Sequence, residues 1–75
     1  MKITRGEYCQ FSLTGRLQLL EEFGEFLGVK TIEHKSIQLY QIYDFYVEVI
    51  YNNTSHKIEH AEIVKSTNLL SFYLH

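Results

Sequence analysis

Proline is absent from the chain, and cysteine occurs once, at Cys9. A single thiol excludes an internal disulfide and suits a reducing compartment. Without proline, glycine and clusters of Asn, Asp and Ser are the only punctuation. Basic residues are few: seven Lys and Arg stand against nine Asp and Glu, for a net charge of −2. That balance argues against a broad phosphate-backbone footprint, which needs a basic patch, and against binding to anionic membrane surfaces. No run approaches the ~18 consecutive apolar residues of a membrane span. No apolar stretch of the kind found in secretory signals follows Lys2. Internal repeats, low-complexity tracts and linkers are also lacking.

What the chain has in quantity is aromatic residues, six Tyr and five Phe in 75 positions. Each supplies a large area for burial, which argues for a folded domain. The length fits one domain, residues 1–75, with no room for a second. A domain this small buries only about 60% of the surface its unfolded chain exposes. Such folds usually add a disulfide, a metal or a partner chain. With the disulfide excluded and no convincing metal site, a partner chain is the expected staple.

Thr4-x-x-Glu7 has the form of a capping box and predicts a short helical turn reaching Phe11. Leu13, Leu17, Leu20, Phe23 and Leu27 then recur at helical spacing along one face. Ser12 or Thr14 can cap that helix, and Gly24 is expected near its end in a left-handed conformation. Glu21, Glu22 and Glu25 crowd the last turn, where carboxylates oppose the helix dipole. From Gly28 the period changes to alternation. Strands are predicted over residues 28–34, 36–42, 45–51 and 57–65. Tyr43-Asp44 and the run Asn52-Asn53-Thr54-Ser55 supply turns. Ser66 or Thr67 would cap a final helix bearing Leu69, Leu70, Phe72, Tyr73 and Leu74. The expected fold class is α+β: an N-terminal helix, a four-stranded antiparallel meander and a C-terminal helix.

Residues 39–51, LYQIYDFYVEVIY, hold five of the aromatic rings. A three-residue turn at Tyr43, Asp44 and Phe45 would pair Leu39 with Val49, Ile37 with Tyr51 and Gln41 with Val47. It gives one nearly apolar face and one amphipathic face holding Gln38, Tyr40, Ile42, Tyr46, Glu48 and Ile50. A two-residue turn would mix polar and apolar residues on both faces. Since register follows the burial pattern, the three-residue turn is the expected one. It makes Phe45 and Tyr51 core residues. It puts Tyr40 and Tyr46 on an outer face too apolar to be left to water. Glu48 would lie opposite Tyr40, within reach of its hydroxyl.

In this pattern the sequence resembles a family of small uncharacterised single-domain bacterial proteins. The residues that carry the likeness are Ser12-Leu13, Arg16-Leu17, Leu20 and Gly24-x-Phe26-Leu27, with Leu39-Tyr40 further on. Phe45-Tyr46-Val47-Glu48-Val49-x-Tyr51 is the most specific piece, and Lys57-Ile58-Glu59 and Lys65-Ser66 follow. The likeness spans about residues 12–74. It implies a helix followed by a curved antiparallel sheet and a cytoplasmic setting, and it transfers no catalytic residue. Where that family has Gly with Asp at the hairpin, this chain has Tyr43-Asp44.

The groups able to do chemistry are scattered. His56 and His60 would share a face on a helix, but on a strand four residues span about 13 Å, too far for one zinc. Cys9 could act as a nucleophile beside His34, His56, His60 or His75, yet nothing places them together. In the apolar stretch Tyr8-Cys9-Gln10-Phe11 a buried, inert thiol is expected. Thr14-Gly15-Arg16 at a helix start could attract an anion, without the glycine-rich loop of a phosphate site. Glu48 has no second acid near it in the pattern.

The expected function is therefore a non-enzymatic, cytoplasmic protein-interaction module without a cofactor. It would self-associate as a homodimer or bind another protein. The interface would be built from Tyr40, Tyr46, Glu48 and Ile50 on the sheet and Leu70 and Tyr73 on the final helix. The alternative is a small-ligand-binding domain, or a regulator partnering a nucleic-acid-associated protein.

Overall fold

The structure of the chain, a computed structural model, describes residues 2–64. Two helices, α1 (Arg5–Cys9) and α2 (Leu13–Phe23), precede four strands, β1 (Glu25–Ile32), β2 (Lys35–Ile42), β3 (Phe45–Asn52) and β4 (Lys57–Ile63). The strands form one antiparallel meander in the order β1-β2-β3-β4. The result is a small α+β domain with both helices on one face of the sheet. The predicted C-terminal helix, with Leu70 and Tyr73, lies outside the described residues. No helix among the described residues is long and apolar enough to cross a membrane.

Both helix starts follow from local chemistry. Glu7 N donates to Thr4 Oγ1 at 3.1 Å, and Thr4 N donates to Glu7 Oε1 at 2.9 Å, completing the capping box. At α2, Gly15 N donates to Ser12 Oγ at 3.2 Å. The end of α2 differs from expectation. Gly24 is extended, with φ −84° and ψ 155°, and its N–H bonds Leu20 O. A Cβ added there would stand 2.6 Å from that carbonyl, so glycine is needed for close approach rather than for left-handed backbone. The chain therefore leaves the helix earlier than the leucine spacing suggested, and Glu25, Phe26 and Leu27 belong to β1.

The core lies between the helices and the sheet. It comprises Ile3, Tyr8, Leu20, Ile42, Phe45, Val47, Val49 and Ala61. Tyr8 meets Phe45 edge to face at 5.6 Å between ring centroids. Leu39 is also fully buried, but on the opposite face and apart from that cluster.

The β2–β3 register corrects the expected one. The turn holds two residues, Tyr43 and Asp44, so that Ile42 faces Phe45, Tyr40 faces Val47, Gln38 faces Val49 and Leu39 faces Glu48. One residue of slip exchanges the faces, so Tyr40 and Ile42 join the helix side. Packing decides it, against the backbone preference of the turn residue. Tyr43 has φ 55°, while its ring stacks on Phe23 at 5.9 Å. Glu33, which begins the two-residue β1–β2 turn, has φ 56°. A positive φ at the first position of a two-residue hairpin turn is usually taken by glycine, asparagine or aspartate. His56, with φ 59°, closes the β3–β4 turn, where its N–H bonds Asn52 O at 2.8 Å.

Candidate interaction surface

The two edges of the sheet are finished differently. β4 is an edge strand tied down by both helices. The buried Tyr8 hydroxyl donates to Ala61 O at 2.9 Å, and Arg16 Nη1 donates to the same oxygen at 3.2 Å. The remaining Arg16 nitrogens are also engaged. Nε donates to Phe11 O at 3.1 Å and Nη2 to Cys9 O at 2.9 Å. Arg16 Nη1 also lies 3.2 Å from Glu62 Oε2, and the guanidinium sits over the Tyr8 ring. The planar fork of arginine can serve several carbonyls at once, which an ammonium cannot. Burial pushes the Tyr8 phenol up to about 12 against the opposing pull of Arg16, so it stays a neutral donor. A backbone acceptor satisfied from within cannot template a foreign strand.

β1, the other edge, has no strand along its outer side among the described residues. It is eight residues long and carries large exposed apolar side chains: Phe26 is 52% exposed, Val29 51% and Ile32 42%. Phe23, at the end of α2, is 44% exposed, with its ring stacked on Tyr43. Lys30 and a bulge between Phe26 and Gly28 are devices that blunt edges. They leave the apolar side chains uncovered.

The bulge also resets which side chains share a face. Phe26 lies opposite Tyr40 and Val29 opposite Gln38, both on the helix side. The Phe26 ring confirms this by meeting Tyr40 edge-on at 5.6 Å. Glu25, Gly28 and Lys30 lie opposite Gln41, Leu39 and Ile37, on the other side.

The side chains expected to form an interface are divided by the observed register. Tyr46, Glu48 and Ile50 do share the face away from the helices, and each is half-buried. Tyr40 is on the helix side, its hydroxyl donating to Gln38 Oε1 at 3.2 Å. Glu48 lies opposite Leu39 and Glu62 rather than Tyr40. The sequence pattern does not mark the exposed edge residues, Phe26 and Val29 on the helix side and Ile32 on the other. The leucine spacing runs on to Leu27 as if the helix continued, which masks the first residues of β1.

Other candidates resolve into structural roles. Cys9 is exposed rather than buried, because α1 turns its last residue outward. His56 lies in a turn, 3.4 Å from the Tyr51 hydroxyl through Nδ1, and His60 is an exposed strand residue. Among the described residues no cluster of three or more His, Cys, Asp or Glu could hold a metal ion. Glu59 receives Asn52 Nδ2 at 3.0 Å and Lys35 Nζ at 3.0 Å, which together hold its carboxyl below the usual range. A groove of about 190 Å³ between α2 and the sheet, lined in part by Leu17, Tyr40 and Val49, is smaller than the roughly 300–1,000 Å³ of small-molecule sites. An open depression of about 450 Å³ beside the start of α1 is bounded by Lys2 and Asp44, which pair at 3.8 Å. Comparison of the chain with known protein families, curated proteins and solved structures finds no match.

Proposed function

We propose that the chain is a non-enzymatic, cytoplasmic protein-interaction module that self-associates by strand addition at β1. The observation that carries this reading is the contrast between the two sheet edges. On β4, Tyr8 and Arg16 occupy the Ala61 carbonyl. On β1, Phe26, Val29 and Ile32 are each more than 40% exposed. Strand addition supplies main-chain hydrogen bonds and covers alternate side chains at one stroke. It also provides the partner chain that a domain of this size usually needs. The side chains most capable of chemistry, Arg16, Tyr8 and Glu59, are engaged in holding the fold.

The test is solution mass by light scattering after size exclusion, over roughly a hundredfold concentration range. The wild type should approach twice the monomer mass of 8.9 kDa as concentration rises. Val29→Asp should remain monomeric with an unchanged circular dichroism spectrum. A wild type that stays monomeric throughout, or a Val29→Asp variant that associates as well as wild type, would overturn the proposal. Loss of association in Tyr46→Glu but not in Val29→Asp would move the interface to the outer face of the sheet.

A further inference from the structure

We infer that β1 pairs with β1 of a second copy, antiparallel about a two-fold axis between Leu27 and Gly28. In this register Phe26 lies opposite Val29 of the second copy and Glu25 opposite its Lys30. The inference rests on the edge-pairing reading above and adds to it the register and the symmetry of the pairing.

A strand that meets itself must place side chains of the same face opposite one another. In a regular strand, residues three apart point to opposite faces. The bulge at Phe26/Gly28 removes that conflict here. Phe26 and Val29 both point to the helix side, and Glu25 and Lys30 both point to the other. Pairing about the Leu27–Gly28 axis therefore matches faces at both positions, and symmetry repeats each match. It covers the two most exposed apolar side chains of the strand, Phe26 and Val29, with each other. It also sets opposite charges across from one another. The neighbouring choices fail. Centring on Val29 would put Phe26 opposite Ile32, which face different sides. Centring on Lys30 would put that lysine opposite itself, a like-charge contact.

Charge reversal tests the register. Glu25→Lys would face Lys30 of its own kind, and Lys30→Glu would face Glu25, each twice per dimer. Each variant alone should associate roughly tenfold more weakly than wild type. An equimolar mixture should regain association as a heterodimer, because both cross-pairs are again opposite in charge. The double variant E25K/K30E should regain it as a homodimer, which separates repulsion from any damage to the fold. If wild type associates but neither single variant is weakened, or if mixing restores nothing, the register is wrong while edge pairing stands. If wild type does not associate at all, edge pairing itself fails.

Discussion

The Arg16 guanidinium lies 5.2 Å from the centroid of the Tyr8 ring, and the two side chains donate to one carbonyl, that of Ala61. This joint fastens both helices to β4. It engages one backbone acceptor of the β4 edge, whereas β1 has no strand along its outer side among the described residues, and that asymmetry bears on both the stability and the proposed association of the domain.

Removing Arg16 should therefore do two things. Its side chain is only 15% exposed, and Arg16→Met leaves the Ala61, Phe11 and Cys9 carbonyls short of a donor. A loss of about 2–3 kcal/mol is expected, seen as a lower urea midpoint. Arg16→Lys should recover little, since an ammonium lacks the fork. The variant should also scatter more light on storage, because the β4 edge is loosened.

Tyr8→Phe keeps the ring and removes the hydrogen bond, for an expected loss of about 1 kcal/mol near neutral pH. The alkaline limb is more diagnostic. The phenol titrates at 10.0 when free of the fold and at about 12 within it. Folding thus favours the protonated form. Its contribution is fully present below pH 10.0 and is lost as pH rises through about 12. Denaturant titrations across that window should show wild-type stability falling more steeply than that of Tyr8→Phe. Parallel curves would contradict the buried role of the hydroxyl.

Glu33 is exposed and held at φ 56°. A non-glycine residue in that region carries about 1–3 kcal/mol of strain, partly offset by the greater unfolded freedom of glycine. Glu33→Gly should raise stability by about 1 kcal/mol, or about 4–8 °C in Tm. An unchanged or lower Tm would mean that the turn is not strained.

Gly24→Ala should act in the opposite direction although its φ is ordinary. The added methyl would stand 2.6 Å from the Leu20 carbonyl and 3.0 Å from its Cα. Forcing the helix end apart should cost about 1–3 kcal/mol by thermal unfolding. A neutral result would show that the α2–β1 junction can relax.

The parts of the fold legible in the sequence are those set by local chemistry. Thr4 with Glu7 and Ser12 with Gly15 mark both helix starts, and alternation marks the four strands to within a few residues. The register was not legible, because the left-handed turn positions hold no conventional residue. Glu33, Tyr43 and His56 take the left-handed positions, and no described glycine does. At Tyr43 the stacking on Phe23 and packing against the core outweigh the backbone preference that a reader of turns relies on. The same slip hid the surface. The three-residue turn would set Tyr40 with Tyr46 on one face, whereas the observed register puts them on opposite faces. Phe26 and Val29 come onto one face only through a bulge, which has no signature in hydrophobic period.

The most direct measurement of the central claim is amide hydrogen exchange, residue by residue, at low and high protein concentration. Edge pairing at β1 predicts that amides within residues 25–30 gain protection as concentration rises. Those of β4, already held through Ala61, should change no more than overall stabilisation requires. Exchange at β1 that is independent of concentration, in a protein whose mass shows association, would contradict the claim and place the interface elsewhere.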